Sequence, residues 1–293
     1  MFIATLIAAD RLSGGDIDAA RDAIAAAGGE PRPVAWIDEG VAADLCFSGD
    51  AVAVRRALEA LSDGIDVIVQ PDGARRKRLL VADMDSTMIT IECIDELADY
   101  AGIKAQVADV TERAMRGELD FEGALDARVA LLKGLPASVI DQCYAERVKI
   151  MPGAKALIRT MKAHGGRSVL VSGGFTVFAD RVAAEIGFDR ALSNTLLIEG
   201  DALAGAVARP IIGAAAKKET LLAELDALGL TPDHALAVGD GANDIPMIET
   251  AGLGIAYHAK PKTAAAAMAC VNACDLTALL YAQGYARREW VDA

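Results

Sequence analysis

Two aspartates, Asp83 and Asp85, sit one residue apart directly after the apolar run Leu79-Leu80-Val81-Ala82. An uninterrupted apolar run of this length reads as a buried strand. Carboxylates at i and i+2 of an extended segment point the same way. Like charges held that close require a proton or a cation between them. Every candidate ligand nearby is an oxygen, so a hard cation such as Mg²⁺ suits the pair. Three later stretches have matching chemistry. Ser172-Gly173 follows the strand-like Ser168-Val169-Leu170-Val171 and offers a hydroxyl and bare backbone N–H groups at the start of a helix, which suits a phosphate. Lys217 offers a cation near a helix start. Gly239-Asp240-Gly241-Ala242-Asn243-Asp244 places two more carboxylates on a turn whose glycines allow close approach to a ligand. Taken singly, each has a plainer reading: strand-end aspartates in water, a glycine turn, a solvated lysine, an Asp/Asn turn.

The elements that must position these residues alternate strand and helix from Leu79 onward, which predicts an α/β fold with a doubly wound parallel sheet. Ligands of such sheets bind at the carboxyl ends of the strands, where three of the four stretches fall, Lys217 being at a helix start. The alternation is interrupted between about residues 94 and 150, where helical patterns dominate, and this reads as a helical cap inserted over the sheet. Pro152 is expected to open the next helix. Asn194 to Val207 reads as a hairpin around Glu199-Gly200-Asp201. Before residue 74 the pattern is strand–helix–strand–strand–helix–strand, the βαββαβ order of a ferredoxin-like sandwich. The expected division is therefore 1–73 and 74–293.

A chain of 293 residues that is 53% apolar can bury two cores. The net charge of −13 argues against nucleic acid as a partner. Its one basic run, Arg75-Arg76-Lys77-Arg78, is expected to be a solvated linker between the two parts. No apolar run is long enough to span a bilayer, so no membrane partner is expected. Five cysteines without metal-like pairing, and no basic leader at Met1-Phe2-Ile3, favour a reducing cytoplasm.

In order, the four stretches resemble the haloacid dehalogenase superfamily of phosphohydrolases. Its Asp-x-Asp-x-(Thr or Ser) signature is met by Asp83 to Thr87, its strand-end hydroxyl by Ser172, its lysine by Lys217, and its Gly-Asp-x-x-x-Asp by Gly239, Asp240 and Asp244. Within that superfamily the sequence is similar to the phosphoserine phosphatases, in Glu92 shortly after the first signature and in Arg128 after the Phe121-Glu122 helix start. Residues 1–73 resemble the ACT family of amino-acid-binding regulatory domains in pattern only.

The resemblance implies Mg²⁺-dependent hydrolysis of O-phospho-L-serine through an aspartyl-phosphate, the last step of serine biosynthesis. It implies Asp83 as nucleophile and Asp85 as general acid and base. Mg²⁺ would be held by the Asp83 carboxylate, the Asp85 backbone carbonyl and Asp240, with Asp244 supporting from behind. Ser172, Gly173, Lys217 and Asn243 would bind the phosphoryl oxygens, Glu92 the ammonium and Arg128 the carboxylate of the substrate. Met115 and Phe121 could line an apolar lid. Spacing to Thr220-Leu221 favours Lys217 over Lys218. A homodimer is compatible with the sequence. Two other readings stay open: the same chemistry on another small phosphomonoester, with hydrolysis or phosphotransfer, or an amino-acid sensor with a silent catalytic half.

Overall fold

The computed structural model describes residues 1–61, 64–116 and 118–291. The first part contains β1 (Phe2–Ala8), α1 (Gly14–Ala26), β2 (Glu30–Pro31), β3 (Ala35–Asp38), β4 (Ala42–Ser48), α2 (Ala51–Glu59) and β5 (Ile65–Pro71). Local signals set the helix starts. Ser13 and Asp16 form a reciprocal capping box on α1, and the Asp50 carboxylate accepts the N–H groups of Val52 and Ala53 on α2. The antiparallel sheet runs β2-β4-β1-β5, with β3 also on β4. Apart from the short extra strand, this is the order of a ferredoxin-like sandwich. Alternation along β1 divides its two faces. Ala4, Leu6 and Ala8 pack with Ile17, Ile24, Val54 and Leu58 of the two helices. Thr5 and Ile7 point the other way, towards the rest of the molecule, where Ile7 joins the main core.

That second face corrects the reading of Arg75 to Arg78 as a solvated linker at Arg75 and Lys77, while Arg76 and Arg78 are exposed. Arg75 grips both oxygens of Asp44 at 2.6 and 2.7 Å and donates to Thr5 Oγ1 and the Ala282 carbonyl. Lys77 is buried and donates to the Asp233 carbonyl. Asp66 accepts the backbone N–H groups of Asn272, Ala273 and Cys274. The apolar sheet face carries buried Asp44 and Asp66, and buried carboxylates need donors. Arg75 and the 272–274 backbone supply them, so the two parts are joined by a polar seam.

The second part begins with β6 (Leu79–Ala82), whose four residues are fully buried. The six-stranded parallel sheet runs β13-β12-β11-β6-β7-β8, with β7 at Arg167–Phe175, β8 at Arg190–Asn194, β11 at Ala235–Gly239, β12 at Leu253–Tyr257 and β13 at Ala269–Val271. The chain passes from β6 to β7 on one side and later returns to β11 on the other. The carboxyl end of β6 is thus the topological switch point, where such sheets open a crevice. Helices α7 (Ala154–Ala163), α8 (Thr176–Ile186), α9 (Ala214–Leu228), α10 (Ile245–Thr250), α11 (Pro261–Ala266) and α12 (Ala278–Ala282) complete this part. Pro152 does not open α7, which starts at Ala154 behind Gly153. Gly153 is left-handed (φ 82°), and a Cβ there would lie 2.6 Å from Thr277 N. The close backbone crossing sets the helix start, not the proline.

Between β6 and α7 lies the inserted cap: α3 (Cys93–Tyr100), α4 (Lys104–Met115), α5 (Phe121–Leu131) and α6 (Ser138–Arg147). Its two connections pair with each other. Thr90 N–H donates to the Lys149 carbonyl and Met151 N–H to the Met88 carbonyl. The hairpin β9 (Leu196–Glu199) and β10 (Ala202–Val207) forms as expected and docks on the cap, where Gly134 and Leu203 exchange backbone bonds with their neighbours. No helix among the described residues is long and apolar enough to cross a membrane.

Candidate active site

Asp83 leaves the end of β6 with its N–H donating to the Val238 carbonyl of β11, which sets its carboxylate over the crevice. Lys217 lies on the buried stripe of α9, at helical spacing from Leu221, Glu224 and Leu225. Its side chain has no solvent exposure, and its Nζ lies 2.6 Å from Asp83 Oδ1 and 2.5 Å from Asp244 Oδ1. The competing Lys218 faces outward. Asp240 and Asp244 come from the turn after β11. The second oxygen of Asp244 accepts the Gly241 N–H at 3.0 Å. Gly239 is required here, because a Cβ would sit 2.3 Å from Asp244 Cγ.

One carboxylate oxygen from each of Asp83, Asp240 and Asp244 lies within 4.8 Å of the others. Three buried carboxylates share one buried lysine, so their charge is not balanced. The consequences are visible in the protonation of each group. Burial, then Asp244, push the Asp83 carboxyl well above its usual range despite Lys217. Burial, then Asp244, push Asp240 to about 6. Burial pulls Lys217 down, but Asp244 and Asp83 together more than reverse this and hold it protonated. An all-oxygen trio with excess negative charge fits a hard divalent cation. Asp244 belongs to the trio, with one oxygen on Lys217 and the other on the Gly241 N–H, while the Asp85 carboxylate lies outside it.

Asp85 sits one step further out. Its Oδ1 accepts the Cys93 N–H at the start of α3 at 3.2 Å. Burial and then the nearby Glu92 raise it to about 7. Glu92 is itself held by the Ser86 hydroxyl at 2.9 Å, from a residue with φ 55°. That left-handed conformation is costly for serine and turns the chain so that Ser86 faces Glu92. Arg128, on α5 of the cap, is half-buried and feels the charges of Asp95, Glu92 and Asp85, although burial lowers its proton affinity. Its Nε donates only within its own helix, to the Ala124 carbonyl at 3.2 Å. Glu92 and Arg128 therefore both lie close enough to Asp85 for their charges to act on one another.

Ser172 is buried at the end of β7 and its Oγ accepts the Gly174 N–H at 2.8 Å. Gly173 and Gly213 both face the ring of Phe121, where a Cβ would lie 3.0 Å from Cζ and 2.9 Å from Cδ1 respectively. The cap phenylalanine thus rests on two bare stretches of core backbone. Asn243 lies close to Gly173, with Nδ2 3.8 Å from the position of a Cβ there. The side chain of Met115 lies outside the described residues. Sequence reasoning missed two contributors. Gly174 has no room for a side chain against Asp85, and Asn194 at the end of β8 bonds the Gly173 carbonyl. Gly174 belongs to the Ser172-Gly173-Gly174-Phe175 run that resembles the family but reads there as an ordinary turn glycine, and Asn194 stands in no motif.

Comparison with known proteins agrees with this geometry. Residues 77–252 match the family described as haloacid dehalogenase-like hydrolase. A phosphoserine phosphatase of Archaeoglobus fulgidus is 48% identical over 215 residues, 72% of this chain and 62% of that protein. The chain thus spans less than two-thirds of that relative. Among solved structures, a HAD family hydrolase from Salmonella enterica serovar Typhi superposes with a TM-score of 0.81 at 30% identity, covering 96% of this chain and 97% of that one. A probable phosphoserine phosphatase from Vibrio cholerae gives 0.78 at 34% identity, covering 98% and 88%. Both include the N-terminal sheet. The match over most of the chain, on the residues that converge at the end of β6, means that the chain belongs to the haloacid dehalogenase-like hydrolases.

Proposed function

We propose that the protein hydrolyses O-phospho-L-serine to L-serine and phosphate with Mg²⁺, through a phosphoryl group carried on Asp83. The observation that carries this reading is the Lys217 ammonium bridging Asp83 and Asp244 beside Asp240. One reactive carboxylate is thereby held next to a cation site at the switch point of the sheet. Asp83, Asp240 and the Asp85 carbonyl would hold Mg²⁺, with Asp244 beside them. When bound, the ion supplies positive charge to the phosphoryl oxygens and lets Asp83 ionise.

The Asp83 carboxylate attacks phosphorus, forming an O–P bond as the bond from phosphorus to the serine oxygen breaks. Asp85, raised to about 7, still carries a proton near neutrality and delivers it to that leaving oxygen. Asp85 then takes a proton from the water that attacks the phosphoaspartate, which restores both residues. Lys217, the Ser172 hydroxyl, Gly173 and Asn243 stabilise the equatorial oxygens. Glu92 faces the substrate ammonium and Arg128 forks onto its carboxylate, while Phe121 limits water above them. The names of the relatives and this cap pair of opposite charge support phosphoserine over a simpler monoester.

We read residues 1–73 as a separate ferredoxin-like part and 74–293 as the phosphatase part, since each has its own apolar cluster. Five free thiols suit a cytoplasmic protein. The test is phosphate release from L-phosphoserine with and without Mg²⁺, beside Asp83→Asn. Mg²⁺-dependent turnover lost in Asp83→Asn is expected. Asp83-dependent release from other monoesters alone would keep the chemistry and reject the substrate.

A further inference from the structure

Asn194 is 1% exposed at the end of β8 and forms no part of the recognised motifs. Its Nδ2 donates to the Gly173 carbonyl at 2.9 Å and to the Ile212 carbonyl at 3.2 Å. Its Oδ1 accepts the Ile212 N–H at 2.8 Å. One carboxamide therefore brackets the Ile212 backbone as a neighbouring strand would, and spends its remaining donor on Gly173.

The two ends of this bridge matter. The Gly173 carbonyl and the Gly174 N–H belong to one peptide plane, and that N–H donates to Ser172 Oγ at 2.8 Å. Holding the carbonyl from one side fixes the direction of the N–H on the other. A hydroxyl that accepts on one lone pair has its hydrogen directed elsewhere, so this contact leaves the Ser172 O–H free to donate to another group. At the other end, Ile212 immediately precedes Gly213, the N-cap of α9, on which Lys217 stands. Gly213 is also one of the two glycines on which Phe121 rests. The phosphoryl-binding groups of β7 and α9, and the backbone on which the cap ring of Phe121 rests, are thus referred to a single side chain on β8.

We propose that Asn194 is a positioning residue for phosphoryl transfer: without touching substrate, it locks the Gly173–Gly174 peptide to the start of α9 and so sets the relative placement of Ser172 and Lys217. This rests on the phosphatase reading above. A donor displaced by a fraction of an ångström loses most of its value in the transition state, and about a hundredfold in rate is typical.

The experiment compares Asn194→Ala and the near-isosteric Asn194→Asp with wild type, on L-phosphoserine, phosphoethanolamine and p-nitrophenyl phosphate, with orthovanadate as inhibitor. Asn194→Asp keeps the acceptor for the Ile212 N–H and loses both donors, so it separates the bridge from simple folding. The expected result is a fall in kcat of about a hundredfold on all three esters in both variants, with vanadate inhibition weakened in proportion. The preference for phosphoserine over phosphoethanolamine, which depends on Arg128, stays as in wild type. Wild-type rates in Asn194→Asp, or lost activity with unchanged vanadate inhibition, would overturn the proposal. So would a change in ester preference as large as the change in rate. If wild type itself shows no Asp83-dependent release from any of the esters, the phosphatase reading fails, and this proposal fails with it.

Discussion

Gly174→Ala is the sharpest test of how Asp85 is placed. A Cβ at residue 174 would sit 2.6 Å from Asp85 Oδ2, 3.0 Å from Ser172 Oγ and 3.1 Å from Met84 Cε. Ordinary contact begins at 3.4 Å, so the Asp85 carboxylate must retreat by about 0.8 Å or change rotamer. The backbone at 174 is not left-handed, so the added methyl acts through this collision and not through φ strain. A displacement of about 1 Å in a reacting group costs about a hundredfold, or roughly 2.7 kcal/mol in the barrier. The quantity to measure is kcat/KM, which reports only steps up to formation of the phosphoaspartate. L-phosphoserine has a poor leaving group and requires the proton of Asp85, whereas p-nitrophenolate leaves without one. Gly174→Ala should therefore lose about a hundredfold on phosphoserine and less than about tenfold on p-nitrophenyl phosphate. Equal losses on both esters would mean that the methyl disturbs the phosphoryl cradle, and unchanged turnover would refute the placement of Asp85 as proton donor.

Two further outcomes follow from the same geometry. Arg128→Ala should raise KM for phosphoserine by about 10- to 100-fold, the range for a lost charge-assisted hydrogen bond. Phosphoethanolamine, which lacks the carboxylate, should be turned over as before; equal effects on the two would remove Arg128 from substrate recognition. Protonation should also couple stability to the cation. Without metal, Asp83 is raised, Asp85 reaches about 7 and Asp240 about 6, so between about pH 4 and about pH 7 the folded state binds more protons than the unfolded chain. Their contribution to stability is present at the acid end of that window and is lost as pH rises through it. Mg²⁺ bound at the trio would remove the share of Asp83 and Asp240 by ionising them, whereas Asp85, outside the trio, titrates in both conditions. The rise in Tm on adding Mg²⁺ should therefore grow from about pH 5 to about pH 8, measured by calorimetry against a chelator control. Carboxylates held low elsewhere, such as Asp189 and Glu224, act in both conditions and cancel. A Tm increment independent of pH would contradict the buried trio as the cation site.

What could be read in the sequence was local. The spacing of Asp83 and Asp85 after four apolar residues, the alternation of β1 and the stripe that turns Lys217 inward all follow from strand and helix periods within a few residues. A side-chain period says which face a residue occupies. It does not say what lies opposite. Arg75 illustrates the limit, since one of four adjacent cations looks solvated until Asp44, distant in sequence, is packed against it.

By itself, the sequence determined the chemical inventory: which carboxylates and hydroxyl stand at strand ends, which lysine stands on a helix start, and the α/β order that brings such ends to one side. Only the tertiary structure decided that Lys217 bridges Asp83 and Asp244, that Asp244 joins Asp240 in one oxygen cluster, and that Asn194 ties Gly173 to Ile212. Apart from Asp240 and Asp244, which share one turn, those pairings join separate segments of the chain. They are selected because polar groups removed from water must find partners in whatever packing the apolar core imposes.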